Sequence, residues 1–240
     1  IFSVTSVFAQ KNYSAEFYNL FVTSDMKAWK LLMSEIEQSD EIISDKELLF
    51  ELTVSQYGYI GYCIGIDDSE NAEIFIEKAN ENIAKLQNFD NNWAEIYALK
   101  GIFCGFGIYL SAFKAIFLLP QSIENLNKAL EIDENCFMCQ VEKANQLYFT
   151  PSFFGGDKVE ALSLYEKAVE NFDANLFEPG NWYYLNVIRH LAEVYEKSGN
   201  FEKANDMYLK TLKYEPDFKW VKEELYPEFL IRYRNWVRQN

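Results

Sequence analysis

The sequence predicts an all-α protein, an array of about five helix pairs closed by a capping helix at the C-terminal end. Three observations carry that prediction. Amphipathic segments recur in pairs, with a small residue at a matching place on each partner. Cap-forming residues stand where the segments begin: Ser24 or Asp25, Asp68 or Ser69, and Asp157. Aromatic residues are abundant, 20 Phe, 16 Tyr and 5 Trp, in a chain with only 10 Gly, so they read as packing and contact surface more than as turns.

Taken in order, the chain opens with "IFSVTSVFA", which reads as the end of a secretory signal with Val7 and Ala9 at its small-residue cleavage positions. Residues 1–9 are then a signal-peptide remnant, and residues 10–240 a single repeat domain beginning at Gln10. Two further pairs follow, "SAEFYNLFV" with "DMKAWKLLMSEIEQ" and "KELLFELTVSQYGYIGYCIGI" with the helix after Ser69. Gly58, Gly61 and Gly65 predict close approach of a neighbouring helix, the segment being too short for a membrane-spanning seam. The apolar run Ile102 to Leu119 carries one charge, Lys114, and contains Gly105 and Gly107 before Pro120. A buried helix with its connection is expected there, and no membrane span.

The pairing is clearest from Leu191 to Asp217. Leu191, Ala192 and Tyr195 share one face, Gly199 breaks the helix, and Ala204, Tyr208 and Thr211 form the next face before Pro216. Second-helix faces of the same kind occur at Ala161, Tyr165 and Ala168, at Ser122, Leu126 and Ala129, and at Ala72, Ile76 and Ala79. Corresponding positions Ala79, Ala129, Ala168 and Thr211 lie 50, 39 and 43 residues apart, so the turns must carry insertions. The clearest repeats are 93–135, 136–170 and 181–217. Residues 218–240, amphipathic and interrupted at Pro227, read as the cap that shields the last apolar face.

These residues resemble the tetratricopeptide repeat, whose arrays are right-handed superhelices. "AEIYALKGIFCGF", "YFTPSFFGGDKVEA" and "YEPDFKWVKEELYPE" further resemble exported bacterial members with a long turn from Pro to Gly-Gly. The resemblance implies fold and export, to the periplasm or cell envelope if the source is bacterial, and supplies no catalytic residue. It also explains "TPSFFGG" as a turn insertion, in which Pro151 ends a helix, Gly155 and Gly156 allow the reversal and Asp157 caps the next helix. A phosphate loop would need a preceding strand and a Lys-Ser/Thr pair, and neither is present.

Charge and chemistry narrow the function. A net charge of -15 without a basic cluster argues against nucleic acid. His190 is the single histidine, no hydrolase, zincin or Walker motif occurs, and "DDSEN" lacks the glycine and closing Glu of a calcium loop. No catalytic residue, metal or cofactor is therefore expected. Cys136 and Cys139 read as two reduced packing cysteines, with a disulfide after export as the alternative.

The sequence thus predicts an exported, non-catalytic protein-binding module or scaffold. Its contact surface would be the concave face, built from first-helix positions that share one side: Val54, Tyr57, Gly61 and Ile64; Glu95, Ala98, Ile102 and Gly105; Met138, Val141, Asn145 and Tyr148; Asn186, Arg189, Glu193 and Glu196. That face runs from apolar to polar and suits an extended or helical peptide. A carrier enclosing an apolar small molecule is the alternative, and an enzyme with an unrecognised site a remote one.

Overall fold

The computed structural model describes residues 12–176 and 179–239. The signal-segment and cleavage expectation at residues 1–10 lies outside them. Eleven α-helices are formed among the described residues: α1 Tyr13–Thr23, α2 Met26–Glu37, α3 Lys46–Gly65, α4 Ser69–Phe89, α5 Ala94–Leu110, α6 Ala115–Ile132, α7 Phe137–Phe149, α8 Lys158–Asn171, α9 Trp182–Lys197, α10 Phe201–Tyr214 and α11 Tyr226–Gln239. No strand occurs among these residues. Successive helices pair as α1/α2 through α9/α10, which gives the five pairs, and α11 follows as a single helix.

Local chemistry starts the helices where the sequence places the caps. Asp25, Asp68 and Asp157 each accept a hydrogen bond from backbone N–H groups in the first turn, as do Asn12, Asp45, Asn181 and Asn200. The Pro-to-Gly-Gly turn behaves as expected: Gly155 takes a positive φ of 90°, and a Cβ on Gly156 would sit 1.7 Å from the Thr150 carbonyl oxygen. No larger residue fits at position 156 without moving that backbone.

Small residues set the helix crossings. Ala144, Ala161, Ala192 and Ala204 are fully buried, and in the third pair Gly101 meets Leu126 so closely that a Cβ would lie 2.5 Å from Leu126 Cγ. Ser122 Oγ donates to the Gly101 carbonyl at 2.8 Å, fixing that crossing with a buried hydrogen bond. At the far end Phe229 of α11 lies against Phe201 and Tyr208 of α10, covering their apolar face.

Pro120 sits inside α6, in the second turn, where the missing N–H costs one bond near the helix start. The interruption expected at Pro227 takes the form of a π-helical segment at Val221–Leu225, directly before the first turn of α11 in which Pro227 lies. One expectation is corrected: the run Ile102 to Leu119 is not buried throughout, since the helix stops at Leu110, a 3-10 turn spans Ala112–Lys114, and Phe113 is 93% exposed. Among the described residues no helix is long and apolar enough to cross a membrane.

Candidate functional site

The array curls until its fifth pair meets its first two. Phe17 and Phe21 of α1, Trp29 of α2, Trp182 of α9 and Phe218 beyond α10 form one aromatic clasp, with ring centroids of neighbouring members 4.7 to 6.3 Å apart. Trp29 is fully buried and donates from its indole N–H to the Ser55 carbonyl at 3.0 Å, tying α2 to α3. Tyr18 of α1 donates to Glu215 at 2.8 Å across the same junction. Trp182 also presses on α3 at Gly58, where a Cβ would lie 2.8 Å from the indole ring. The expected close approach at Gly58 is thus made by an aromatic ring.

Next to the clasp, the concave face closes on itself. Glu142 of α7 is fully buried and accepts from Tyr183 of α9 at 2.7 Å, from Asn145 at 2.7 Å and from Tyr57 of α3. Tyr165 of α8 in turn donates to Asn145. Burial pushes the Glu142 carboxyl above the ordinary range, and the three donors act against that rise. The tyrosines Tyr57, Tyr165 and Tyr183 are held well above their usual range, first by burial and then by the charge of Glu142. A carboxylate with this many donors is a structural bolt between helices of the second, fourth and fifth pairs.

Arg189 makes a second bolt. Its guanidinium donates to Asn186 Oδ1 at 2.8 Å and to Glu193 at 2.7 Å, and lies 4.6 Å from the centre of the Trp220 ring. Burial raises the Glu193 carboxyl, but Arg189 and His190 outweigh it and hold the group at about 2. His190 is boxed by Tyr148, Phe149 and Tyr165, and burial lowers its pKa below the usual imidazole value. Among the described residues no group of three or more His, Cys, Asp or Glu is placed to hold a metal ion.

Of the concave-face residues, Val141, Tyr148 and Arg189 are therefore buried, and Tyr57, Asn145, Asn186 and Glu193 bond within the chain. Met138 and Ile102 are half-buried against the core. An open groove running the full length of that face, as the sequence suggests, does not form, because the array is curled tightly enough for α9 to reach α3. What stays open is the strip one turn beyond Tyr57 and Phe106, whose rings touch at 5.6 Å. There Gly61 of α3 has nothing within 4 Å of its Cβ position, and Gly105 of α5 meets only Ile102 of its own helix. Ile64 and Ile102 border these bare backbones.

A second surface lies at the turns that join α5 to α6 and α7 to α8, and it escapes the sequence reading altogether. Besides Phe113, it exposes Ile116, Phe117, Phe154 and Val159, with Phe153 at 90%. The signal was present as two acid-free runs, residues 96–123 and 143–156, in a chain with 37 Asp and Glu. Cys136 and Cys139 are joined by a disulfide, with Cα atoms 5.2 Å apart at the start of α7, where the sequence favours reduced thiols. The sequence spacing alone could not show that the first helical turn brings the two sulfurs together.

No family model matches the chain. The uncharacterized protein ycf37 of Guillardia theta is 30% identical over 144 residues, which cover 59% of this chain and 68% of that protein. Among solved structures, the HusA haemophore from Porphyromonas gingivalis superposes with a TM-score of 0.61 at 19% identity, over 79% of this chain and 96% of its own. A thermophilic TPR protein of Thermus thermophilus superposes with a TM-score of 0.53 at 16% identity, over 93% of this chain and 98% of its own. Both share the fold of coiled helix pairs described above. The chain is a tetratricopeptide-like helical-repeat protein and belongs to the family of the uncharacterized protein ycf37.

Proposed function

We propose that the chain is a non-catalytic protein-binding module that receives a helical or extended segment of its partner on the strip between α3 and α5. The observation that carries this reading is the pair Gly61 and Gly105. Glycine inside a helix costs about 0.5 to 1 kcal/mol relative to alanine, and such a cost is usually offset by a close neighbour. Among the described residues neither position has a side chain or backbone from another element within 4 Å of its Cβ position. A partner approaching to backbone distance gives both glycines a use, with Ile64 and Ile102 as apolar contacts. Met138, Val141, Asn145, Tyr148, Asn186, Arg189 and Glu193 then serve as the wall that fixes α7 and α9. Tyr57 supports the strip from below.

Export belongs to the same proposal. It is supported by the apolar start "IFSVTSVFA" and by the Cys136–Cys139 disulfide, a bond kept in oxidising compartments and rare in reducing ones. A photo-crosslinking side chain at position 64 or 102, introduced into the full-length protein in its own cells, tests the contact. Discrete protein adducts are expected from both positions and none from position 167 on the outer face; adducts from position 167 alone would overturn the strip.

A second reading is favoured by one finding, the superposition on a haemophore. Under it the same strip would take a flat apolar ligand such as haem in place of a peptide. Titration with haemin separates the two. The protein-partner reading expects no saturable Soret shift, whereas a one-to-one shift abolished by Gly61→Leu would establish the carrier.

A further inference from the structure

We infer that the edge formed by the α5–α6 and α7–α8 turns is a docking surface for a lipid bilayer, entering the headgroup boundary by its apolar side chains. The α5 and α7 helices pack against each other and each is the first helix of its pair, so the α5–α6 and α7–α8 turns occupy equivalent places in neighbouring repeats. Phe113, Ile116 and Phe117 come from the first turn, and Phe153, Phe154 and Val159 from the second, all between 58% and 93% exposed. Aromatic rings at this density on two turn tips have no role in holding the helices, and water makes each of them unfavourable to expose.

Charge identifies the occupant. Lys114 and Lys158 stand among these side chains, and residues 96–123 and 143–156 contain no Asp or Glu; Asp157, which follows, is engaged as the cap of α8, with Glu160 in that helix's first turn. The opposite edge exposes Asp40, Glu41, Asp90, Asp133 and Glu134 in its turns, against Asp67 in the α3–α4 turn on this side. An apolar tip flanked by lysines that can reach back to the headgroups, in a chain otherwise acidic, is the arrangement that suits a bilayer boundary. With a net charge of -15 the molecule gains little from anionic lipid as a whole. Apolar insertion must therefore drive the binding, and a zwitterionic bilayer is sufficient.

Co-sedimentation of the full chain with phosphatidylcholine vesicles tests this. The wild type is expected to sediment with vesicles equally well in low salt and in about 0.5 M salt, since apolar insertion is not screened. The triple variant Phe113→Ser, Ile116→Ser, Phe153→Ser should partition at least about tenfold less while keeping its circular-dichroism melt. The control Leu31→Ser, Ile43→Ser, which removes exposed apolar side chains elsewhere, should bind as the wild type does. Absent vesicle binding by the wild type, binding that salt removes, or equal loss in the control overturns the proposal. So does the finding that crosslinkers at positions 113 and 153 capture only protein. None of these outcomes bears on the α3–α5 strip, which the glycine variants test separately.

Discussion

Gly58 and Gly61 lie within one turn of each other on α3, and the structure uses them in opposite ways. At Gly58 the missing side chain is occupied by Trp182, whose ring would be 2.8 Å from a Cβ there; at Gly61 nothing lies within 4 Å. The first glycine belongs to the clasp that closes the array, and the second faces a strip that the array leaves open. A glycine in a helix is thus not one kind of signal. Whether it serves folding or binding depends on what the far end of the chain brings to it, here a helix more than 120 residues away in sequence.

The contrast can be broken most strongly from the clasp side. Trp29→Ala removes a fully buried indole and its bond to Ser55, and should cost about 3 to 5 kcal/mol in denaturant unfolding. A loss below about 1 kcal/mol would mean that the first and fifth pairs do not hold each other. Gly58→Leu should follow, at about 1 to 3 kcal/mol, because the added side chain meets the Trp182 ring.

Tyr183→Phe should cost about 1 to 3 kcal/mol near neutral pH by removing one donor from Glu142. Its pH dependence carries a sign. Burial already raises the Glu142 pKa, so stability is full below the ordinary carboxylate range and falls as pH rises toward the folded value. Losing a donor raises that value further, so the penalty of the variant should shrink as pH falls through the two raised folded values, above the ordinary carboxylate range. A penalty constant across pH would show that the tyrosine acts by packing alone. The smallest effect is expected at the open strip, where Gly61→Ala should leave the fold unchanged or stabilise it by up to about 1 kcal/mol. A clear destabilisation there would place Gly61 with Gly58.

Much of the fold was legible because its signals are local. Ala192 with Ala204, Ala144 with Ala161, and the Asp and Asn caps act over a few residues, and their spacing survives in the linear sequence. The site was less legible because its determinants are long-range. Position counting along each helix puts Tyr57, Val141 and Arg189 on one concave face, but it cannot say how tightly the superhelix curls. The curl brings Tyr183 to Glu142 and Trp182 to Gly58, and so turns much of the expected groove into interior. The exposed turn edge was misread for a related reason. A run such as Ile102 to Leu119 has the composition of a buried helix, and only the structure shows that it is divided between the end of α5, a turn at 111–114 and the start of α6.

If the open glycines serve a partner and the covered ones serve the fold, one double variant separates the two roles. Gly61→Leu, Gly105→Leu should melt at or slightly above the wild-type temperature, since a Cβ at either position meets no other element within 4 Å. The same protein, carrying the crosslinker at position 64, should lose the partner adduct formed in the wild-type background. A melting temperature that falls as far as that of Gly58→Leu, or an adduct that persists undiminished beside two leucines, would contradict the account.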